Sequence, residues 1–381
     1  MPYSLPYVLM VMLYAVLGYL YYRADDEQYK NYCNAAAAAL FVLFFGFRGF
    51  LLTDWILYYP YYMNLEWGDI FNFFIPDKQG LEPGFALLCM VCKTLSLGSY
   101  HFLEFTITCI VLACLYRFMR RYMGNVALGL MIFIAFNGVG VVCNLLRNSV
   151  AIAIFLLALP YLEQRRPLEY YLLCLLALTF HASALVYLPL YFFFHLFPSR
   201  WVYLVVFVAA NAAFVTRFSI VEQLLEAMGL SGEAAMKAEA YTGNMSTAVV
   251  VFSLGYIERL LTGTLIIVYH DKLKALRGGS GVIVNGMFMY IIMIFFFSQF
   301  DVLAQRFSFL FGFGYWIIWF DLMKCFYYDN NRRLLATLVV AYAMVRTWTI
   351  YNAPDCMYEN VLTGAQSYNE RIYYHRRNFH D

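Results

Sequence analysis

The stretch RGFLLTDWILYYPYYMNLEWGDIFNFFIPDKQGLEPGF, residues 48 to 85, decides how this chain is read. An apolar run long enough to cross a bilayer ends at its start, and the residues after that run are acidic and aromatic rather than a simple polar turn. Arg48, Asp54, Asp69, Asp77 and Glu82 bracket a run of Tyr, Phe and Trp. Aromatic rings favour the membrane–water boundary, so the segment is expected to lie along the membrane surface with its carboxylates over a helix bundle. Such a place suits a polar group carried on a lipid.

Outward from this stretch the chain is apolar almost everywhere: 63% of its 381 residues are hydrophobic and 13% charged. About 20 apolar residues span the hydrocarbon of a bilayer. Runs of that kind fall at about 5 to 22, 34 to 52, 101 to 119, 124 to 142, 145 to 162, 168 to 181 and 183 to 197. Others lie at about 200 to 216, 250 to 269, 282 to 299, 302 to 324 and 334 to 350. The expected fold is an all-α polytopic membrane protein of about twelve transmembrane helices, forming a single integral membrane domain over residues 1–381. The pair of runs on either side of His181 is short, so a bent or recessed element is expected there. The first run has no positive flank and no small-residue cleavage site, and reads as a retained helix rather than a signal peptide.

Several classes are excluded. A net charge of +2 gives no basic footprint for nucleic acid. The nine cysteines are an odd number lying mostly in apolar runs, which suggests no disulfide framework. Cys89 and Cys92 form a C-x-x-C inside an apolar helix and read as packing. No tight His/Cys or D-x-D cluster suggests a metal site, and no cofactor is expected.

Orientation comes from Lys and Arg. The connections at Arg117 to Arg121, Arg165 with Arg166, Lys272 to Arg277 and Lys324 to Arg333 are basic, which places them in the cytoplasm. The alternate connections then face out: the long ones at about 53 to 100 and 217 to 249, and the tail after 350, where Arg371, Arg376 and Arg377 run against the rule. Residues 83 to 97 are apolar enough to span, yet a span there would put Arg117 to Arg121 outside. They are therefore read as an interfacial helix, with Pro83 in its first turn where a missing N–H costs nothing. Glu222, Glu226, Glu233 and Glu239 suggest a surface helix or lid in the second outer loop.

Charges inside a bilayer are costly and mark substrate paths. Arg48, Arg147, Arg306 and Arg346 fall near the outer ends of their helices under this topology, as do Asp54, His181 and Asp301. One helix-end arginine is an ordinary interfacial anchor. Four converging on one side point instead to a recessed anionic site, because the guanidinium fork suits phosphate or pyrophosphate. Arg259 beside Glu258 reads as an internal ion pair, Asp301 and Arg306 as a pair at a helix start, and a structural histidine is the plain alternative for His181.

At these residues the chain resembles the EpsG/Wzy-type polymerases of bacterial exopolysaccharide, capsule and O-antigen synthesis. The matching pieces are Arg48, Thr53, Asp54 and Tyr58 in RGFLLTDWILY, Glu82 to Phe85 in EPGF, LRNSVAIAIFLLAL around Arg147, FHASAL around His181 and AQRFSFLF around Arg306. They occur in family order over most of the chain. Family members commonly carry Gly before the Thr-Asp pair and Gln after the second arginine, where this chain has Leu52 and Asn148.

The resemblance implies an oligosaccharide repeat linked through pyrophosphate to a polyprenyl lipid, handled at the outer face of the bacterial cytoplasmic (inner) membrane. It also implies kinship with GT-C-type membrane glycosyltransferases, which place an acidic residue in the first large outer loop. Implied partners are lipid-linked donor and acceptor and membrane lipid, with a chain-length regulator and a flippase as further candidates. Transfer would need Arg147 and Arg306 on the pyrophosphate, with Arg48 as a third contact. Asp54 would be the base with His181 as partner, or the reverse, and Glu82 would assist. Tyr58, Asn148, Gln305 and Asp301 complete the expected substrate contacts, and Tyr59, Tyr61, Tyr62 and Trp67 are candidates for stacking on sugars. Direct attack would invert the anomeric carbon. The competing readings are a ligase or single-sugar transferase, which share the leaving-group problem, membrane acyl transfer with His181 as base, and a lipid-linked oligosaccharide flippase. A flippase would spread charge along both sides of the midplane.

Cysteines introduced near residues 70 and 235 are expected to react with a membrane-impermeant maleimide added from outside. Protection of both reverses the assigned orientation.

Overall fold

A computed structural model describes residues 2–75, 80–216, 253–298 and 301–379, without the side chains of residues 301–303. The second expected outer loop, about 217–249 with its four glutamates, lies outside the described residues, as do Asp77 and the side chain of Asp301. Every described element is helical, apart from isolated backbone bridges at Arg48, Asn360 and Gly364. Five described helices are long and apolar enough to cross a membrane: α1 Leu5–Arg23, α5 Tyr100–Tyr122, the Val126–Cys143 segment, α8 Leu146–Glu163 and Asp329–Ile350. Other apolar helices are only 10–17 residues long, so this multi-pass chain shows fewer full-length spans than the twelve expected.

The chain divides into two compact units, residues Met1–Tyr191 with Ala336–Asp381, and Phe192–Leu335. In the first, α2 (Glu27–Phe41) starts earlier than the sequence suggests, because Asp26 caps it by accepting from Gln28 N at 3.0 Å. It ends in one wide turn, Val42–Gly46, rather than continuing to residue 52. The chain is then drawn out along the tail: Gly49 N donates to Glu359 O, Leu52 N to Asp355 O and Val361 N to Phe47 O at 2.8–3.0 Å. A helix through this stretch would forfeit those bonds. Helices α3 (Trp55–Asn64) and α4 (Pro83–Leu95) come next, the latter at the expected place.

Helix α6 (Val126–Phe133) is capped by Asn125 and bends through Ile134–Gly138 into α7 (Val139–Cys143). The bend turns on Asn137, whose φ of 70° is a left-handed conformation that Asn tolerates better than most residues. Helix α8 packs on α5 and on α9 (Pro167–Leu178). The expected break at His181 is present: a 3-10 turn, Ala182–Tyr187, leads to the four-residue α10 (Leu190–Phe193).

In the second unit, α11 (Arg200–Thr216), α12 (Leu254–Val268) and α13 (His270–Leu276) precede α14 (Val282–Phe296). The expected helix over 302 to 324 is two, α15 (Asp301–Phe309) and α16 (Gly312–Cys325). Gly312 weakens helix continuity at the break. Helices α14 and α16 cross at backbone contact: a Cβ on Gly314 would stand 2.2 Å from Met287 N. Arg277 grips Asp321 with two bonds of 2.7 and 2.6 Å. Glu258, expected beside Arg259, accepts from Thr262 Oγ1 at 2.8 Å and from the Tyr315 hydroxyl.

The long helix α17 (Asp329–Ile350) leads to a tail that ends in α18 (Tyr368–Phe379). Arg371, one of the residues against the charge rule, is buried and donates to Met357 O at 3.0 Å. Tyr368 stacks on Tyr59 at 4.1 Å and meets Trp55 edge-on, so the tail packs on α3.

Arg48 is the clearest departure from expectation. Its side chain is 0% exposed and faces Glu104 of α5 at 3.4 Å. It donates to Phe45 O at 2.6 Å and Thr108 Oγ1 at 2.9 Å, while His101 Nδ1 lies 3.0 Å from the second Glu104 oxygen. An arginine closed off in this way fixes the end of α2 against α5 and has no surface for a substrate. Glu104→Ala strands that charge and is expected to destabilise the protein by about 3–5 kcal/mol, read as a lower unfolding temperature in detergent. The double change Arg48→Met with Glu104→Leu is expected to recover most of that stability, and to keep whatever activity the chain has.

Candidate active site

Helix α8 starts at Leu146, and the corner before it is tied to the corner before α3 in both directions. Asn144 Oδ1 accepts from Thr53 N at 3.0 Å, Thr53 Oγ1 at 3.0 Å and Asp54 N at 2.9 Å. In return Asp54 Oδ2 accepts from Leu146 N at 3.4 Å. Each helix thus satisfies orphan amides of the other.

One residue further on, Arg147 reaches back across the same gap. Its Nε donates to the Tyr58 hydroxyl at 2.7 Å and its Nη1 to Glu82 Oε2, while the guanidinium lies 5.6 Å from the Tyr58 ring centre. Burial keeps the Tyr58 phenol above its ordinary pKa, so it stays a neutral hydroxyl. Glu82 is nearly buried, and its other oxygen accepts from Ala182 N at 3.1 Å. Both Glu82 oxygens are thus hydrogen-bonded, one to Arg147 and one to the turn after α9. Arg147 is 23% exposed, and among the described residues its hydrogen bonds use Nε and Nη1, leaving Nη2 for an anion.

Glu82 reaches this place because the next two residues permit it. Pro83 starts α4, and Gly84 N donates to Thr179 O at 2.9 Å. A Cβ on Gly84 would stand 2.3 Å from Thr179 Oγ1, so only glycine lets α4 approach the end of α9 this closely. His181, before the 3-10 turn, has Nδ1 2.8 Å from Ser183 Oγ, and that hydroxyl donates to Asn148 Oδ1 at 3.0 Å.

The first unit therefore brings together Asp54, Tyr58, Glu82, Arg147, Asn148 and His181, which come from distant parts of the sequence. Arg48 is not among them. Arg346 is occupied elsewhere in that unit, donating to Ala135 O at 3.1 Å and lying over Phe136. Arg306 and Gln305 are exposed on α15 of the second unit. Of the aromatic candidates, Tyr59 is stacked on Tyr368 and Tyr62 is buried with its hydroxyl on Ser99 O, whereas Trp67 is exposed. Sequence reasoning passed over Ser183, Thr179 and the capping role of Asn144. Lys93 of α4 donates to Met63 O and Leu65 O at 2.7 and 2.8 Å and so ties the end of α3 to α4.

The EpsG family model matches residues 31–362. The chain belongs to that family, and membership suggests a glycosyltransferase-like, exopolysaccharide-polymerase type of function. No curated protein and no solved structure matches it. The position where the resemblance anticipates glycine, Leu52, has a φ of 61°, a conformation that glycine takes without steric cost.

Gly84→Ala is expected to push Glu82 off Ala182 N and loosen its hold on Arg147. A misplacement of about 1 Å at such a site costs about 100-fold in rate, so activity should fall by that order while the protein still inserts and purifies normally. An unchanged rate would detach the α4 contact from the site.

Proposed function

We propose that this member of the EpsG family is a polysaccharide polymerase acting at the outer face of the bacterial cytoplasmic membrane. It moves a polyprenyl-pyrophosphate-linked glycan onto the non-reducing end of another lipid-linked repeat. One observation carries this reading: the family-like motifs around Asp54, Glu82, Arg147 and His181, far apart in sequence, meet at one end of α8. The basic turn of Arg165 and Arg166 lies beyond the other end, about 24 Å along the helix axis. If those arginines are cytoplasmic, the cluster faces out.

In the proposed step the acceptor hydroxyl oxygen bonds to the anomeric carbon of the donor sugar. Its proton passes to the Asp54 carboxylate, and the carbon–oxygen bond to the lipid pyrophosphate breaks with the electron pair leaving on oxygen. The guanidinium of Arg147, held by Glu82 and Tyr58, offsets that charge through Nη2. Pre-set charges of this kind need no reorganisation as charge develops. Attack opposite the leaving group inverts the anomeric carbon. Arg306 is a proposed substrate contact on its motif alone.

Purified protein in lipid, given a polyprenyl-pyrophosphate oligosaccharide from its host, is expected to yield a ladder of repeat-length products. Arg147→Ala and Asp54→Asn should each lower the rate by about 100-fold to 1000-fold. A single addition makes the protein a ligase or simple transferase. Unchanged glycan that crosses a sealed bilayer makes it a flippase.

A further inference from the structure

We infer that Tyr58 is a catalytic residue in its own right: its hydroxyl donates a hydrogen bond to the departing pyrophosphate oxygen that Arg147 Nη2 holds. The inference deepens the polymerase reading and rests on it for the identity of the substrate. An arginine Nε–H can only donate, so in the 2.7 Å contact the Tyr58 oxygen is the acceptor. The phenol therefore keeps its own proton for another partner, and among the described residues no group receives it. Burial holds this phenol above its ordinary pKa, so the proton is in place at neutral pH. The half-buried ring is set edge-on against Phe85 of α4 at 5.5 Å. Tyr58 N donates to Asp54 O at 3.0 Å, which puts the phenol one helical turn after the proposed base and on the same face of α3.

The shape of the guanidinium sets where a ligand meets the phenol. Its donors lie in one plane, and Nε–H runs parallel to the nearer N–H of Nη2. Tyr58 occupies the first of these two donors. An anionic oxygen on the second lies beside the phenol oxygen. Two oxygens side by side repel unless a proton lies between them, and Tyr58 holds that proton. The bond from Arg147 also polarises the phenol and makes it a stronger donor. As the bond from the anomeric carbon to the pyrophosphate breaks, negative charge grows on the oxygen and both donors grip it harder. The proton stays on Tyr58, and the acceptor's proton still passes to Asp54.

The test uses the full chain in lipid with 3,5-difluorotyrosine at position 58, which nearly keeps the shape of the phenol and makes it more acidic. A rate that needs the phenol's proton falls as the pH rises through the phenol's pKa. The basic limb of polymerisation is therefore expected at lower pH than in the wild type. A phenol that only positions Arg147 still accepts from Nε when ionised, so an unmoved limb overturns the proposal. Tyr58→Phe keeps the ring against Phe85 but has no proton to give, and is expected to lower kcat by about 100-fold. A loss smaller than about tenfold overturns the donor role. The 19F resonance of the same residue is read without turnover. Polyprenyl pyrophosphate carrying no sugar is expected to shift it, and an unmoved resonance overturns the proposal. A shifted resonance in a protein that makes no polymer defeats the polymerase reading and leaves the phenol's contact with pyrophosphate standing.

Discussion

The ion pair of Glu82 with Arg147 constrains everything around it. A guanidinium placed where a helix starts in apolar surroundings must be given oxygen partners, and a carboxylate nearly closed off from solvent must be given donors. Each is supplied: Tyr58 and Glu82 for Arg147, Arg147 and the Ala182 amide for Glu82. Meeting those demands fixes three separate backbones. Helix α3 must present Tyr58, α4 must begin hard against Thr179, and the chain after α9 must break into a turn that exposes an amide. The Asn144 and Asp54 caps then hold the same corners from the other side.

The same residue type meets two fates in this chain, and burial decides between them. Arg48 and Arg147 both lie near helix ends and both face a glutamate. Arg48 is closed in by Phe45, Thr108 and Glu104, so its charge goes into joining helices. Arg147 keeps part of its guanidinium open, so the glutamate orients it without using it up. A buried pair adds little net stability but makes the loss of either partner costly, which suits a structural joint. A partly open pair leaves a donor for a ligand.

The tail supports this arrangement from behind. Residues 355–361 run beside 47–52 through backbone hydrogen bonds, and Tyr368 stacks on Tyr59 of the helix that Asp54 begins. The left-handed Leu52 lies in that paired stretch, between its amide bond to Asp355 O and its carbonyl, which accepts from Trp55 Nε1 at 2.7 Å. Backbone strain of this kind persists where surrounding contacts over-determine it.

Much was legible in one dimension, because hydropathy and charge are local properties. The apolar runs gave α1, α5, α8 and α11 nearly to the residue, the basic turns separated one end of the helices from the other, and the motifs around Asp54, Glu82, Arg147 and His181 pointed to the family. The extended 47–52 stretch and the split at Leu310 to Phe311 were not legible, since each depends on a partner far along the chain or on a close backbone approach. Nor could the sequence tell Arg48 from Arg147: both read as arginines near helix ends, and only packing closes one off while leaving the other partly open.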